Sequence, residues 1–160
     1  MTISSFETLV EQITQARSGI GEIFISKQFH AGIGNDKSAI QAAISTYAQS
    51  SAWFLIPFSV SSLREITISE AQTIITACLY QDWAYHTTIV PYEHALEMAR
   101  SFLSFFSSQA LLFTNGRFAP LVATSIRMTG WTPETTATFD TGVIVVDKKS
   151  IGCLWVKDED

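Results

Sequence analysis

The sequence predicts a mixed α+β domain, an α/β part followed by an antiparallel part, on three observations. Helix-period and strand-period apolar patterns alternate through residues 1–115. From Asn115 the helix period stops, and short β-branched runs separated by turn residues replace it. No linker-like composition divides the 160 residues, a length suited to one domain. The expected architecture is therefore a single globular domain over 1–160. Its N-terminal α/β part (about 1–115) comprises four helix–strand units feeding a mixed, partly parallel sheet. Its C-terminal antiparallel part (about 116–160) lies on the same sheet.

The elements follow from local pattern. Phe6, Leu9, Val10 and Ile13 share a helical face, Ser4 and Glu7 have capping-box spacing, and Gly19 stops the helix. Residues 20–26 read as a strand and 27–35, with two glycines, as a loop. Asp36 caps a second helix whose Ile40, Ala43, Ile44 and Tyr47 face inward, and Ser50-Ser51 breaks it. Residues 52–58, apolar on both faces, suit a central strand with Pro57 near its end. A third helix over 69–80 aligns Ala71, Ile74, Ile75, Cys78 and Leu79. Residues 83–90 are β-branched and aromatic, hence a strand, and Pro91 opens a fourth helix that runs to about Ser107. Residues 109–113 form the next strand. Asn115-Gly116 predicts a hairpin, 118–127 a strand interrupted by Pro120, and 128–138 a polar loop. Residues 139–146 and 151–156 form a last hairpin around Asp147-Lys148-Lys149-Ser150.

Composition narrows function. Apolar residues make up 47 % of the chain, enough to bury a core and exclude disorder. Ten Lys+Arg against 15 Asp+Glu give −5, without the cationic surplus a phosphate-tracking nucleic-acid binder needs. No apolar run approaches the length of a membrane span, and the N-terminus lacks the basic start of a signal peptide. Two cysteines are too few for a disulfide framework, so a cytoplasmic location is expected.

Chemistry-bearing patterns are incomplete. In Gly32-Ile33-Gly34-Asn35-Asp36-Lys37-Ser38 the residue before Lys-Ser is an aspartate, where a phosphate loop needs glycine. Cys78, with His86 and His94 downstream, is the one thiol near a base, yet it shares a stripe with Ile74 and Leu79. His94 and Glu97 are spaced to share a helix side but lack further ligands. Glu93 and Glu97 belong to the same polar face as Arg100. No catalytic residue, metal ligand or cofactor is assigned.

Surface character remains. Residues 134–160 hold six acids and three lysines, net −3, with Phe139 and Trp155 interleaved and Trp131 just upstream in a polar loop. Acids steer a basic partner and aromatics supply burial. The expected function is a non-catalytic protein-binding module. Its most concrete form is an acidic inhibitor or immunity protein covering the active site of a basic, nuclease-like toxin. Trp131, Glu134, Asp140, Asp147 and Asp158 would form the contact, with segment 27–35 as a secondary surface. Two alternatives are a small enzyme using Cys78 or His94 with Glu97, and a carrier of an apolar ligand. The carrier reading draws on the five phenylalanines between Phe102 and Phe118.

Overall fold

A computed structural model describes residues 5–30, 32–55, 58–120, 122 and 124–160. In chain order the elements are α1 (Phe6–Ala16), β1 (Glu22–Phe29), α2 (Lys37–Ser50), a single 3₁₀ turn (Val60–Ser62), β2 (Arg64–Ile66), α3 (Ile68–Tyr80) and α4 (Tyr92–Ser104). They continue as β3 (Leu111–Thr114), β4 (Gly116–Ala119), β5 (Arg127–Trp131), β6 (Phe139–Val146) and β7 (Ser150–Asp158).

The helices form where period and caps agree. Ser5, one residue later than expected, caps α1 by accepting from the Thr8 N–H, and Ser4 lies outside the described residues. Asp36 caps α2 as anticipated. Thr67 and Glu70 close a reciprocal capping box on α3, so that helix begins earlier than its apolar stripe suggests. Pro91 precedes α4 as its cap.

Five strands make one sheet in the order β1-β7-β6-β3-β2, and β4 pairs with β5 in a separate ribbon. The mixed α+β class holds, as does the C-terminal β6–β7 hairpin. Every described pairing between named strands is antiparallel, however, which corrects the expected parallel contribution. The reason lies at 83–90. These residues are a tight turn and a single bridge (Gln81 to Thr88), not a strand. Asp82 holds the turn, its carboxylate accepting from the Tyr85 and Thr87 N–H groups. Helices α3 and α4 therefore follow one another as an antiparallel pair, and the chain enters β3 running opposite to β2.

Helices pack on both faces of the sheet. Alternation along β6 sends Val143 and Val145 toward α1, α3 and α4, and Ile144 and Val146 toward α2. Strand β7 divides likewise: Leu154 and Val156 join the three-helix side, while Cys153 and Trp155 join the α2 side. Both central strands are thus buried on both faces. Burying Trp155 alone, about 200 Å² at about 25 cal/mol/Å², contributes roughly 5 kcal/mol.

That centre was expected at 52–58. Residues 56 and 57 lie outside the described residues, and 51–54 form a bend with Ala52 at φ +46°. Its aromatics cover the sheet instead of joining it: the Phe54 ring meets Trp155 edge-on at 5.3 Å and Phe58 at 4.9 Å. Asn115-Gly116 is likewise no hairpin turn, because β3 and β4 belong to different sheets. Asn115 is buried there and donates to the Thr132 and Asp140 carbonyls. The polar loop expected over 128–138 contains most of β5.

Candidate binding cleft

The acidic patch expected from the sequence does not form a surface. Glu134, Asp140 and Asp158 are at most 2 % exposed. Asp140 occupies the β6 face that also carries Ile144 and Val146, and so points inward. It accepts from Trp155 Nε1 at 3.1 Å, from the Glu134 and Thr135 N–H groups at 3.1 Å and from Thr135 Oγ1 at 3.0 Å. Glu134 accepts from the Ser59 N–H at 3.1 Å and from Ser62 Oγ. Burial pushes both carboxyls up, outweighing these hydrogen bonds. Asp158 binds the Arg17 guanidinium at 2.6 Å and the Trp83 N–H at 2.8 Å. All three acids join segments of the fold internally, so their assignment to a partner contact is corrected. Trp131 is half-buried, stacked on Phe139 at 5.5 Å.

The thiol–histidine alternative does not assemble either. Cys78 is fully buried and burial pushes its thiol up to about 12, against the partial opposition of Arg17. Cys153 is buried under α2 and raised to about 12 for the same reason. His94 is exposed on α4, whereas His86 lies 2.5 Å from Arg127 Nη1. Among the described residues no three His, Cys, Asp or Glu side chains are grouped as metal ligands.

Asp147 is different. It begins the β6–β7 turn, where its Oδ1 accepts from the Lys149 and Ser150 N–H groups and from Ser150 Oγ, and its Oδ2 from the Ser107 N–H. Burial pushes this carboxyl up, but the four hydrogen bonds outweigh it and hold the group below its ordinary value. The turn so fixed forms one wall of a cleft of about 720 Å³. This cleft opens at the end of the sheet where β1 and β6 finish and β3 and β7 begin. The end of β1, the loop into α2, the segment after α4 and the start of β3 supply the other walls.

Lys27, Lys148 and Lys149 line it, with Asp147 as its carboxylate. Phe29, Ile33, Ile40, Phe105 and Leu111 give it apolar walls. Lys27 extends over three phenyl rings, Phe29 at 5.1 Å, Phe106 at 5.4 Å and Phe105 at 5.9 Å, and donates to the Phe105 carbonyl at 2.8 Å. The Phe106 ring comes this close because Gly152, opposite Lys27, has no side chain. A Cβ there would stand 2.6 Å from the ring. His30 ties the adjoining loop to the turn: its Nδ1 accepts from the Gly32 N–H and its Nε2 donates to the Asp147 carbonyl. Serine, histidine and aspartate thus converge here without forming a triad. Ser150 is buried and bonded directly to Asp147, and both nitrogens of His30 are committed to backbone.

Segment 27–35 was expected to be a loop and a secondary surface; its first three residues are β1, which places Lys27 and Phe29 at the cleft. Sequence reasoning missed Lys148 and Lys149 by adding them to an acidic C-terminal total. No family model, curated protein or solved structure matches the chain. Among the described residues no helix is long and apolar enough to cross a membrane.

Proposed function

We propose that this protein is a non-catalytic binding module that receives its ligand in the cleft at the β6–β7 turn. One coincidence carries this reading. Phe29, the most exposed large apolar side chain among the described residues at 81 %, stands at the rim of the 720 Å³ cleft, beside its lysines. A concavity of ligand size with mostly apolar walls and a few convergent polar groups is the usual anatomy of a binding site. The expected inhibitor role is not carried forward on Glu134, Asp140 and Asp158, because a partner cannot reach them. The carrier reading gains the support they lose.

Amide shift mapping with a fragment library of anions, cations and neutral compounds tests this. Hits should perturb Phe29, Asn35, Leu111 and Lys149 together. Fragments that perturb only other surfaces, or none, overturn the reading.

A further inference from the structure

We infer that the ligand is an amphipathic carboxylate, its head at Lys27 and its apolar body running over Ile40 and Leu111. The inference rests on the proposed binding role and names the ligand class. Lys27 supplies the first reason. Its half-buried ammonium has three donors, of which the Phe105 carbonyl takes one. Among the described residues no carboxylate lies within ion-pairing distance of it, since the ion pairs there are Arg17–Asp158 and Arg64–Glu70. Phenyl faces attract the cation but accept no N–H hydrogen bond of ordinary strength. An incoming carboxylate satisfies both the charge and the remaining donors.

The second reason is that the cleft's own carboxylate is spoken for. Both Asp147 oxygens are occupied by the turn and by Ser107. Three lysines against one aspartate make the site cationic in a chain of net charge −5. The formal charge lining this cleft is opposite in sign to the net charge of the molecule, which favours an anion there.

The third reason concerns the body of the ligand. A second hollow of about 560 Å³ adjoins the first, sharing Asn35, Ile40 and Leu111, and continues along Val60, Leu63 and Phe113, with Lys37 and Glu65 as its charged lining. An apolar chain entering from Lys27 rounds the end of the sheet at the β6–β7 turn, from the face of Phe105 and Phe106 to that of Ile40 and Leu111, and so reaches this hollow. Among the described residues no arginine lines either hollow to fork a phosphate, and the N-terminus of α2, which begins at Lys37 in the second hollow, is capped by the Asp36 carboxylate.

The test is calorimetric titration of the full chain with octanoate, decanoate and dodecanoate, against 1-decanol and decylamine. Affinity should rise roughly threefold to fourfold per methylene along the carboxylates. Decanol and decylamine should bind at least tenfold more weakly than decanoate. Lys27→Met keeps the apolar stem within the three rings and removes the charge. It should cost decanoate at least tenfold while leaving decanol unchanged. If that variant fails to fold, the doubly substituted Lys148→Gln, Lys149→Gln protein should lose severalfold for decanoate alone. Decanol or decylamine binding as tightly as decanoate overturns the carboxylate assignment while cleft shifts uphold the binding role. Absence of shifts at the cleft with every compound overturns both.

Discussion

Asp158 separates a structural role from the surface role its place in an acidic C-terminus suggests. Asp158→Asn keeps the shape and removes the charge. In the native fold both carboxylate oxygens are used: Oδ1 receives Arg17 Nη1 at 2.6 Å, and Oδ2 receives Arg17 Nη2 at 3.1 Å and the Trp83 N–H at 2.8 Å. An amide retains one acceptor and turns its NH₂ toward donors. The Arg17 side chain, 1 % exposed, is then a buried cation without a counter-charge. Breaking one partner of such a pair costs about 3–5 kcal/mol. The lower end applies, because Arg17 keeps its bonds to the Cys78 and Ile20 carbonyls. A loss of about 3 kcal/mol, with a urea slope of about 2 kcal/mol/M, lowers the unfolding midpoint by about 1.5 M. Equilibrium urea denaturation followed by tryptophan fluorescence measures this. Glu159→Gln, an exposed neighbour, serves as the control and should leave the midpoint in place. A shift below about 0.3 M at unchanged slope would refute the reasoning. The double variant Arg17→Met, Asp158→Asn should lose less than the two single losses added, since neither charge is then stranded.

Four further outcomes are expected. Gly142→Ala places a Cβ 2.0 Å from the Leu154 carbonyl oxygen and 2.7 Å from Trp155 Cα, both backbone of the paired strand. It should cost more than about 3 kcal/mol, and a melting temperature within about 5 °C of wild type would contradict that. Cys78 and Cys153, both raised to about 12 by burial, should react with a thiol reagent only as fast as the protein unfolds. Rapid labelling of the native protein would show an open site. The folded Asp147 carboxyl titrates below its unfolded value, so the stability it adds is present above the ordinary carboxylate range and lost as pH falls through the folded value. Urea midpoints for Asp147→Asn should lie below wild type at about pH 7 and converge with it toward about pH 3. Glu134 has the opposite sign. Its folded carboxyl is raised, so its contribution is largest at low pH and falls as pH rises from the unfolded value through the folded one. Glu134→Gln should therefore gain on wild type across that rise, and a gap independent of pH would disprove it.

The helices and the last hairpin were legible because local signals agreed with the tertiary result. Asp36 caps α2, and residues 139–146 and 151–156 pair around the expected turn. Other segments carried correct chemistry with the wrong consequence. Residues 52–58 are apolar on both sides in sequence, and Phe54 and Phe58 are buried, but Phe54 covers Trp155 edge-on and Phe58 packs against Phe54. Residues 83–90 have strand composition, yet Asp82 bends them into a turn, and losing that one strand reverses every later direction. A pattern within a window carries no such parity. Asp140 could have been found: it stands two and four residues before Gly142 and Ile144, on a strand face whose other members are buried. The cleft could not, because Lys27 and Lys149 are far apart in the chain and meet only through the β1–β7 pairing.

The two ends of the sheet use charge in opposite ways. At the end where β6 begins and β7 finishes, Asp140, Asp158 and Arg17 are turned inward, and every polar atom described for them is matched within the fold. At the opposite end Asp147 alone is turned to such use, and Lys27, Lys148 and Lys149 are left with no carboxylate of the described chain to meet. Counting charges over the C-terminal 27 residues merges these ends into one acidic stretch, whereas the fold separates them by the full length of β7. The interior acids account for cohesion and make no demand on a partner. Lys27 also tethers the Phe105 carbonyl, and it is the charge the three lysines leave unmatched, among exposed phenylalanine and apolar walls, on which the proposed recognition draws. The proposed anionic ligand with an apolar body would complete the second set without disturbing the first.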